Sequence, residues 1–475
     1  MEPVQLSDLI AATRGTPTGR GESAPVVHRV CTDSRVLQEG DLFWALRGDR
    51  HDGHDHIETA INKGAIGCVV NRSEIGKLGV GFQNSVVIQV ADTLQALSDF
   101  AHWYRMQRET MVIGVTGSVG KTTTREMIYS VLSASHHGTR SQRNFNNEVG
   151  LPLSLLELRS EHEFAVLEMG AARVGDIRAL SEIACPEAGV ITRIGPAHLE
   201  SFESLDNIYQ GKGELLEAIP AHGFAVVSGD DERMRDMARR ASCSVVFVGE
   251  SQGNQLRATD VDFQPGRLRF TADRKKYEVA VPARHYLTAA LCALGVAREI
   301  GMDAGSIAEG FRRFAGAPGR CNVEQVGPWT VIDDTYNASP LSMQAACLCL
   351  RDWPAHGNRL LIAGDMLELG PETGRCHEEL GACAAGTRID RLLAFGEQAD
   401  HVADGALRAG MAPHTIADCH DLDALLTVLD CWLAPGDVIL VKGSRGMRME
   451  RIVNWLKQQG AGHTEHSSRI SRAVA

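Results

Sequence analysis

Residues 114–124 have the residue types of a phosphate-binding loop. They read G-V-T-G-S-V-G-K-T-T-T and overlap the end of an apolar run of strand length, MVIGV. The glycines allow backbone N–H groups to turn inward around a phosphate, Lys121 supplies a positive charge, and Thr122 can place its hydroxyl on Mg²⁺. Val115 stands where the strict pattern has its first glycine. The segment therefore predicts nucleotide binding without identifying a reaction.

Three further residues have suitable chemistry for a cation or phosphate site, although each is weak alone. Glu168 ends the apolar run FAVLE, where a carboxylate can hold Mg²⁺. His198 lies in G-P-A-H-L-E and Lys212 in Q-G-K-G-E-L-L. Such residues are more often a solvated edge, a structural histidine and a surface lysine. The residues alone leave both interpretations open.

The elements around the loop follow the strand–loop–helix order of a parallel α/β sheet. Apolar runs predict the strands Phe164–Leu167, Ala188–Thr192, Ala225–Ser228 and Ser244–Val248. Helical spacing predicts helices over Thr122–Leu132 and 283–300. We therefore expect a central domain at 108–317 with the loop at the end of its first strand.

Domains on either side complete a three-domain expectation for 475 residues. In the first, 1–107, strands are expected at Val26–Val30, Leu42–Leu46 and Cys68–Val70, helices at Thr59–Lys63 and Leu94–Arg108, and a loop from Thr13 to Ala24. In the last, 318–460, strands are expected at Thr330–Ile332, Arg359–Ala363, Arg391–Phe395 and Val438–Val441. A Gly-Ala-Pro-Gly turn within 315–320 favours the second boundary. The polar tail, 461–475, is predicted to be disordered.

Composition and charge limit the class of partner. The formal net charge is −12, which argues against a nucleic-acid or membrane-surface binder because both need a basic face. The twelve cysteines include no C-x-x-C pair and are interpreted as reduced thiols. Neither a signal peptide nor an apolar run of ~18–20 residues is found. These features predict a cytoplasmic protein.

Several long segments in fixed order resemble the Mur ligase family. In the central domain they are T-G-S-V-G-K-T-T (116–123), N-F-N-N-E-V-G-L-P-L (144–153), L-E-M-G-A (167–171), G-P-A-H-L-E-S-F (195–202) and K-G-E-L (212–215). In the last domain they are D-D-T-Y-N-A-S-P-L-S-M (333–343), G-D-M-L-E-L-G (364–370) and V-K-G-S-R-G-M (441–447). In the first domain they are T-D-S-R (32–35), G-D-L-F-W-A-L-R-G (40–48) and H-D-G-H (51–54). The resemblance covers nearly the whole chain.

The resemblance implies a small N-terminal UDP-binding α/β domain, a central phosphate-loop domain with a parallel sheet, and a C-terminal Rossmann-like α/β domain. It also implies an ATP- and Mg²⁺-dependent ligase that activates a carboxylate as an acyl phosphate for attack by an amine. The segments P-L-S-M and G-D-M-L-E-L-G resemble the branch that adds D-alanyl-D-alanine to UDP-N-acetylmuramoyl-tripeptide in peptidoglycan synthesis. We expect these two small molecules as substrates, no nucleic-acid or membrane partner, and a monomer.

The resemblance assigns roles by position. Residues implied in ATP binding are Thr116, Gly117, Ser118, Val119, Gly120, Lys121, Thr122, Thr123, Arg320, Asp334 and Asn337. Those implied in metal binding are Thr122, Glu168, His198 and Lys212, the last as a carbamate. Lys121, Lys212 and His198 are the implied catalytic residues. Because Arg320 and Asp334 belong to the last domain, domain closure over ATP is implied as well.

The UDP-muramoyl-peptide is expected to contact the residues Asp33, Ser34, Arg35, His51, Gly53, Asn146 and Asn147. For Asp33 and Ser34 a turn role is a plausible alternative. Candidates for the dipeptide, by motif only, are Asp365, Glu368, Lys442 and Ser444.

One departure from the family pattern G-R-H-N-x-x-N-A-L-A-A is clear. Here the segment 283–293 reads A-R-H-Y-L-T-A-A-L-C-A, so Tyr286 and Ala289 replace two asparagines, of which the second normally serves the nucleotide site. The alternatives are a sibling ligase that adds a single amino acid, a folylpolyglutamate-type ligase, a phosphate-loop switch or binding module, and an inactive homologue. The UDP-type motifs argue against a folylpolyglutamate-type ligase, and the C-terminal domain argues against a phosphate-loop switch. The presence of Lys121, Glu168, His198 and Lys212 argues against an inactive homologue.

Overall fold

Three α/β units follow one another along the chain, each built on its own main sheet. The computed structural model describes residues 1–18, 26–48, 51–77, 86–142 and 144–461. The architecture confirms the three-domain expectation, while the boundaries 1–107, 108–317 and 318–460 stay predictions. Within the described ranges, no helix has the length and apolar character needed to span a membrane.

The first unit is built on a five-stranded sheet. Its strands are β1 (Val4–Gln5), β2 (Thr16–Thr18), β3 (Val26–Val27), β4 (Val30–Cys31), β5 (Leu42–Trp44), β6 (Gly67–Asn71) and β7 (Val86–Val90). Its helices are α1 (Leu6–Thr13), α2 (Ile57–Asn62) and α3 (Thr93–Met106). The sheet order is β2-β7-β6-β5-β4, with parallel pairing except at β2, while β1 pairs with β3.

The prediction of a loop from Thr13 to Ala24 is wrong over β2. This strand contains Pro17 and pairs antiparallel with β7 at the edge of the sheet, where a proline is tolerated. The strand depends on a partner seventy residues away in sequence, so its own composition gives no signal. Residues 19–25 of the predicted loop lie outside the described ranges.

The central unit contains a seven-stranded parallel sheet. Its strands are β8 (Met111–Thr116), β9 (Gly138–Arg140), β10 (Phe164–Glu168), β11 (Ala188–Ile191), β12 (Phe224–Ser228), β13 (Ser244–Gly249) and β14 (Leu256–Arg257). Its helices are α4 (Lys121–Leu132), α5 (Gly150–Leu156), α6 (Asp176–Ala184), α7 (Leu199–Phe202), α8 (Leu205–Ala218), α9 (Glu232–Ala238), α10 (Leu287–Glu299) and α11 (Ala304–Arg313). All the predicted strands and both predicted helices are present within a few residues.

The strand order β14-β13-β12-β11-β8-β10-β9 places β8 at a switch point of the central sheet. On one side β8 pairs with β10, and on the other side it pairs with β11, which in turn pairs with β12. In open parallel sheets, ligands bind beyond the carboxyl ends of the strands at such a point. The phosphate-loop segment follows β8 directly and therefore lies there.

A small antiparallel sheet in the central unit was not predicted. It consists of β15 (Thr259–Gln264), β16 (Arg267–Ala272) and β17 (Lys275–Val279). Leu268, Phe270 and Ala272 are buried and alternate with more exposed residues, which is the period of a half-buried strand. That alternation is the signal from which β16 could have been found.

The C-terminal unit has a six-stranded sheet. Its strands are β18 (Asn322–Val326), β19 (Trp329–Asp334), β20 (Arg359–Gly364), β21 (Arg391–Phe395), β22 (Ile416–Cys419) and β23 (Val438–Lys442), in the order β18-β19-β23-β20-β21-β22. Its helices are α12 (Pro340–Asp352), α13 (Thr373–Gly386), α14 (Ala399–Arg408), α15 (Leu422–Trp432) and a final helix over 450–461. Only β18 is antiparallel to its neighbour. The final helix includes residue 461, which contradicts the prediction of disorder at that residue. The rest of the predicted tail, 462–475, lies outside the described ranges.

Replacing Gly381 by alanine is expected to destabilise the C-terminal unit. On α13, a Cβ at this position would lie 1.9 Å from the carbonyl oxygen of Val402 on α14. Overpacking of this kind costs about 1–3 kcal/mol, so the midpoint of thermal unfolding should fall. Gly386→Ala, on the same helix with no atom within 4 Å of its Cβ, is the matched control. Equal midpoints of thermal unfolding for the two variants would contradict the close packing of α13 against α14 at Gly381.

Candidate active site

The loop after β8 has the backbone conformation that requires glycine at two positions. Gly117 has a φ of 147° and Gly120 a φ of 84°, and a Cβ at Gly117 would lie 2.1 Å from Thr192 Oγ1. The helix α4 begins immediately afterwards at Lys121. Its first N–H groups and its dipole therefore face the loop, as an anion requires.

The loop is fastened to the segment that follows β11. The Ser118 N–H donates to the Arg193 carbonyl at 2.8 Å, and Ser118 Oγ donates to the Gly195 carbonyl at 2.8 Å. Thr192 Oγ1 donates to the Val119 carbonyl at 2.6 Å. These hydrogen bonds hold the phosphate loop in one conformation. Binding of a phosphate would therefore lose little conformational entropy in the loop.

Lys121 bends back over the same loop. Its Nζ donates to the Gly117 carbonyl at 2.9 Å. Burial lowers the pKa of this ammonium, the Glu168 carboxylate partly offsets the effect, and Arg320 adds to it. An entering phosphate would stabilise the charged form and would itself be stabilised by it.

Glu168, at the end of β10, is buried among cations and donors. Thr122 Oγ1 donates to Oε2 at 2.8 Å, Asn146 Nδ2 donates to Oε1 at 2.8 Å, and Arg125 Nη1 lies 3.5 Å from Oε2. Burial by itself would raise the pKa of Glu168, but Lys121, Arg125 and Arg320 together hold it below the ordinary value. An ionised carboxylate beside a threonine hydroxyl is the oxygen donor set that Mg²⁺ prefers.

Lys212, on α8, is a buried lysine without a carboxylate partner at contact distance among the described residues. Its side chain is buried, with Nζ 3.4 Å from the Ala171 carbonyl oxygen and 5.3 Å from the centre of the Phe202 ring. Burial, with a further contribution from Lys121, sets the pKa of Lys212 well below the ordinary value. Burial therefore favours the neutral amine, which is the nucleophilic form of a lysine side chain.

Arg320 brings the C-terminal unit to the phosphate loop. Its Nη2 lies 3.2 Å from Thr122 Oγ1, and its guanidinium lies 4.0 Å from the centre of the Tyr336 ring. The Nε of Arg320 is buried and has no hydrogen-bond partner among the described residues. A buried donor left in this way points to a ligand that supplies the acceptor.

Asp334 and Asn337 already have hydrogen-bond partners within the C-terminal unit. Asp334 forms a buried ion pair with Lys442 at 2.7 Å and accepts the Cys321 N–H at 3.2 Å. Lys442 also donates to the Asn337 carbonyl at 2.8 Å, and Asn337 Oδ1 accepts the N–H of the next residue. These contacts hold the loop after β19 against β23, so a ribose role for Asp334 stays a prediction.

His198 meets Glu368 across the cleft. The Nδ1 atom of His198 pairs with Oε2 of Glu368, and the Glu200 N–H donates to the Glu368 carbonyl at 3.2 Å. The hydrogen bond from His198 lowers the pKa of Glu368 against the opposing effect of burial. In the tautomer that carries its proton on Nδ1, the other ring nitrogen of His198, Nε2, has a lone pair for another partner.

A cleft of about 270 Å³ between the central and C-terminal units unites most of the predicted residues. Those that line it are Ser118, Val119, Gly120, Lys121, Thr122, Thr123, Glu168, His198, Arg320, Asp334 and Asn337, with Glu368, Lys442 and Ser444 of the dipeptide candidates. Thr116, Gly117 and Lys212 are not among its lining residues. The cleft therefore has a cationic phosphate end, an acidic oxygen site and walls from two units.

Asp365 is the dipeptide candidate that the cleft does not include. Its buried carboxylate accepts the N–H groups of Glu397 and Gln398 at 2.9 and 3.1 Å. Ser444 Oγ likewise accepts the Leu367 N–H at 2.9 Å. Both residues hold the loop that carries Glu368, and their contact with a substrate stays a prediction.

The residues predicted for UDP-muramoyl-peptide lie outside this cleft. Asp33 accepts the Arg35 N–H at 2.9 Å, pairs with the Arg35 guanidinium at 2.8 Å and has a pKa lowered to about 2 by these hydrogen bonds. The Ser34 carbonyl accepts Lys63 Nζ at 2.7 Å. The contacts of Asp33 and Ser34 are those of a turn, and their contact with UDP-muramoyl-peptide stays a prediction.

The remaining members of that set also have local roles. His51 is exposed, and a Cβ on Gly53 would meet the Leu46 backbone at 2.7 Å. Asn146 donates to Glu168, as described above, and Asn147 Oδ1 accepts the Gly150 N–H at 2.9 Å at the start of α5. Asn146 is therefore turned toward the acidic site of the cleft.

Tyr286 and Ala289, the two departures from the family pattern, both line the cleft. The hydroxyl of Tyr286 donates to the Arg320 carbonyl at 2.9 Å, and its ring is buried. Tyr286 thus ties the start of α10 to the turn that presents Arg320. The small side chain of Ala289 supplies no polar group to the cleft wall.

Sequence reasoning did not identify Arg125, Tyr336 or Tyr286 as site residues. Arg125 is one helical turn after Lys121, so the four-residue spacing could have placed both on one face of α4. Tyr336 is next to Asn337 in sequence, but its contact with the Arg320 guanidinium could not be predicted, because no local pattern links these two residues.

The chain is similar to known ligases over nearly its whole length. Family models match as "Mur ligase family, catalytic domain" at 26–105, "Mur ligase middle domain" at 115–297 and "Mur ligase, glutamate ligase domain" at 319–445. The UDP-N-acetylmuramoyl-tripeptide–D-alanyl-D-alanine ligase of Bacillus subtilis (strain 168) is 33% identical over 94% of this chain and 97% of that relative.

Solved structures are similar in fold as well as in sequence. A crystal structure of MurF from Acinetobacter baumannii is 30% identical with a TM-score of 0.87, over 96% of this chain and 99% of that one. MurF ligase from Thermotoga maritima in complex with ADP is 30% identical with a TM-score of 0.79, over 91% of this chain and 98% of that one.

Arg320→Lys is expected to weaken binding of a non-hydrolysable ATP analogue. Lysine keeps the charge but loses Nε and the planar set of donors. The Kd from isothermal titration calorimetry should rise about tenfold, which corresponds to roughly 1.4 kcal/mol. Arg408→Lys, whose guanidinium pairs with Glu378 at 2.8 Å on the surface, should leave the Kd unchanged. An unaltered Kd for Arg320→Lys would exclude this arginine from the nucleotide site.

Proposed function

Since the chain belongs to the Mur ligase family, we propose that it is the ATP-dependent ligase that joins D-alanyl-D-alanine to UDP-N-acetylmuramoyl-tripeptide. The observation that carries this proposal is the meeting of Arg320 from the C-terminal unit with Thr122 of the phosphate loop. A two-sided nucleotide cleft of this kind suits phosphoryl transfer to a bound acid. The near full-length similarity to UDP-N-acetylmuramoyl-tripeptide–D-alanyl-D-alanine ligases supports the choice of substrates.

The proposed reaction has two displacements. A carboxylate oxygen of the tripeptide forms a bond to the γ-phosphorus of ATP while the bond from that phosphorus to the β–γ bridging oxygen breaks, releasing ADP. The neutral amine of the dipeptide then bonds to the carbonyl carbon of the acyl phosphate while the bond from that carbon to the oxygen it shares with phosphorus breaks. Inorganic phosphate leaves with that former carboxylate oxygen, and the nitrogen releases one proton as the amide forms. Both steps move negative charge between oxygens, so positioning and charge neutralisation supply most of the catalysis.

Residues on both walls of the cleft match these needs. Lys121 and Arg320 would neutralise the phosphate oxygens from opposite sides, and the N–H groups of the loop would orient them. Thr122 and Glu168 would hold Mg²⁺, which fits them because both offer hard oxygen donors and the carboxylate is ionised. Bound Mg²⁺ would supply further neutralisation of phosphate charge.

His198 and Lys212 would complete the cation-binding set. A neutral Lys212 amine can bond to the carbon of CO₂ and release one proton, which forms a carbamate and replaces a poor ligand by an anionic oxygen donor. Burial favours the neutral amine and supports this assignment. A carbamate on Lys212 would also balance the excess of positive charge from Lys121, Arg125 and Arg320.

The first unit would bind the UDP end of the tripeptide precursor. Asp33, Ser34, Arg35, His51 and Gly53 stay the predicted contacts, and Asn147 stays a predicted contact of the muramoyl-peptide. Location in the cytoplasm and a monomeric state are retained as predictions. The twelve cysteines, all free thiols, agree with a reducing compartment.

Phosphate release should require both proposed substrates. With ATP and Mg²⁺, we expect release only when UDP-N-acetylmuramoyl-tripeptide and D-alanyl-D-alanine are both present, together with a pentapeptide product detected by mass spectrometry. Single amino acids are the controls for the amine. Release with a single amino acid and a shorter precursor, but none with the dipeptide, would instead assign a sibling activity.

Lys212→Arg should abolish most of this activity. Arginine stays charged and cannot form the carbamate, so phosphate release should fall at least about 100-fold, the scale seen when one group that stabilises developing charge is lost. Native mass spectrometry should detect one bound CO₂ on the unaltered protein and none on the variant. Lys457→Arg, whose Nζ pairs with Glu324 at 2.6 Å on the surface, is the control. Full activity of Lys212→Arg would rule out the carbamate.

A further inference from the structure

The pair formed by His198 and Glu368 connects the central and C-terminal units at the cleft. These residues are 170 positions apart, and both line the cleft. The contact is reinforced by the main chain, since the Glu200 N–H donates to the Glu368 carbonyl at 3.2 Å. Gly370 packs against the same segment, because a Cβ there would lie 3.4 Å from Glu200 Cα.

Both members of the pair have unusual backbone conformations. His198 has a φ of 54° and Glu368 a φ of 64°, in the left-handed region that non-glycine residues seldom adopt. Such a conformation is unfavourable for a non-glycine residue and persists only where its surroundings fix it. The two side chains are thus placed by the fold rather than by local preference.

The loop that presents Glu368 is anchored at consecutive residues. The Met366 N–H donates to Nε2 of the buried His377 at 2.9 Å, and the Leu367 N–H donates to Ser444 Oγ at 2.9 Å. His377 in turn is held through Nδ1 by the Thr373 carbonyl at 2.7 Å. This support suits a residue whose task is to hold another side chain at a fixed angle.

From this arrangement we infer that Glu368 is a positioning residue that fixes His198 as a cation ligand when the C-terminal unit docks. An ionised carboxylate can only accept, so Glu368 pairs with the His198 tautomer that carries its proton on Nδ1, and in that tautomer Nε2 offers a lone pair to a divalent cation. The metal site is therefore complete only while Glu368 and His198 are in contact. Cation binding and domain docking consequently strengthen each other, since each favours the same arrangement.

This inference rests on the proposed function, because it requires a divalent cation in the cleft. Its test is a Mn²⁺ titration followed by electron paramagnetic resonance, in the presence of a non-hydrolysable ATP analogue. Glu368→Ala should weaken the cation site that includes His198 by about 10–100-fold, the usual effect of removing the partner of a metal-bound histidine. The Glu368 side chain is 59% exposed, so its removal should leave the melting temperature nearly unchanged.

Two matched variants separate positioning from a general structural effect. Glu368→Gln keeps an oxygen that can accept from Nδ1, so it should retain most of the Mn²⁺ affinity. Glu200→Ala removes an exposed carboxylate from the same contact region and should bind Mn²⁺ like the unaltered protein. In His198→Ala, the further change Glu368→Ala should have no effect, because both residues act through one ligand.

The outcomes distinguish this inference from the proposed function. Unaltered Mn²⁺ affinity in Glu368→Ala, or the absence of a Mn²⁺ site in the unaltered protein, overturns the positioning role. If the predicted pattern of Mn²⁺ affinities is found but no pair of substrates releases phosphate, the positioning role stands and the ligase assignment fails.

Discussion

An ionised carboxylate buried among three cations is the interaction on which the candidate site depends. Glu168 alone would resist losing its proton in that environment, and Lys121, Arg125 and Arg320 alone would repel one another. Together they hold a charged group in place, with Thr122 and Asn146 satisfying its oxygens. Arg320 belongs to the C-terminal unit, so the electrostatic balance of the central unit is completed only by its neighbour.

The parallel sheets explain why these charges converge. Glu168 lies at the end of β10, the phosphate loop begins at the end of β8, and the segment leading to His198 follows β11. These three strands are adjacent and run in the same direction, so their carboxyl ends meet at one edge. Residues separated by long stretches of sequence are thereby placed in one cleft.

Much of this arrangement could be predicted from the sequence because it is encoded locally. The strand before the loop, the glycines within it and the helix after it lie in one short segment, and the apolar strand β10 ends at Glu168. The edge strand β2 could not be predicted, because its partner lies far along the chain. The contacts of Tyr286 with Arg320 and of His198 with Glu368 join different units and leave no periodic signal. Motif resemblance indicated Glu368 as a residue of interest but assigned it to the dipeptide rather than to His198.

The buried Nε of Arg320, which has no hydrogen-bond partner among the described residues, lowers stability locally at a residue that the candidate nucleotide site needs. A buried donor without an acceptor costs about 1–3 kcal/mol of folding free energy, and an apolar side chain of similar shape would avoid that cost. The same guanidinium helps to keep the buried Glu168 carboxylate ionised, so a variant that removed the unpaired donor would lose that stabilisation and the nucleotide contact together. Any programme of thermostabilisation should hold position 320 fixed and seek its gains elsewhere in the fold.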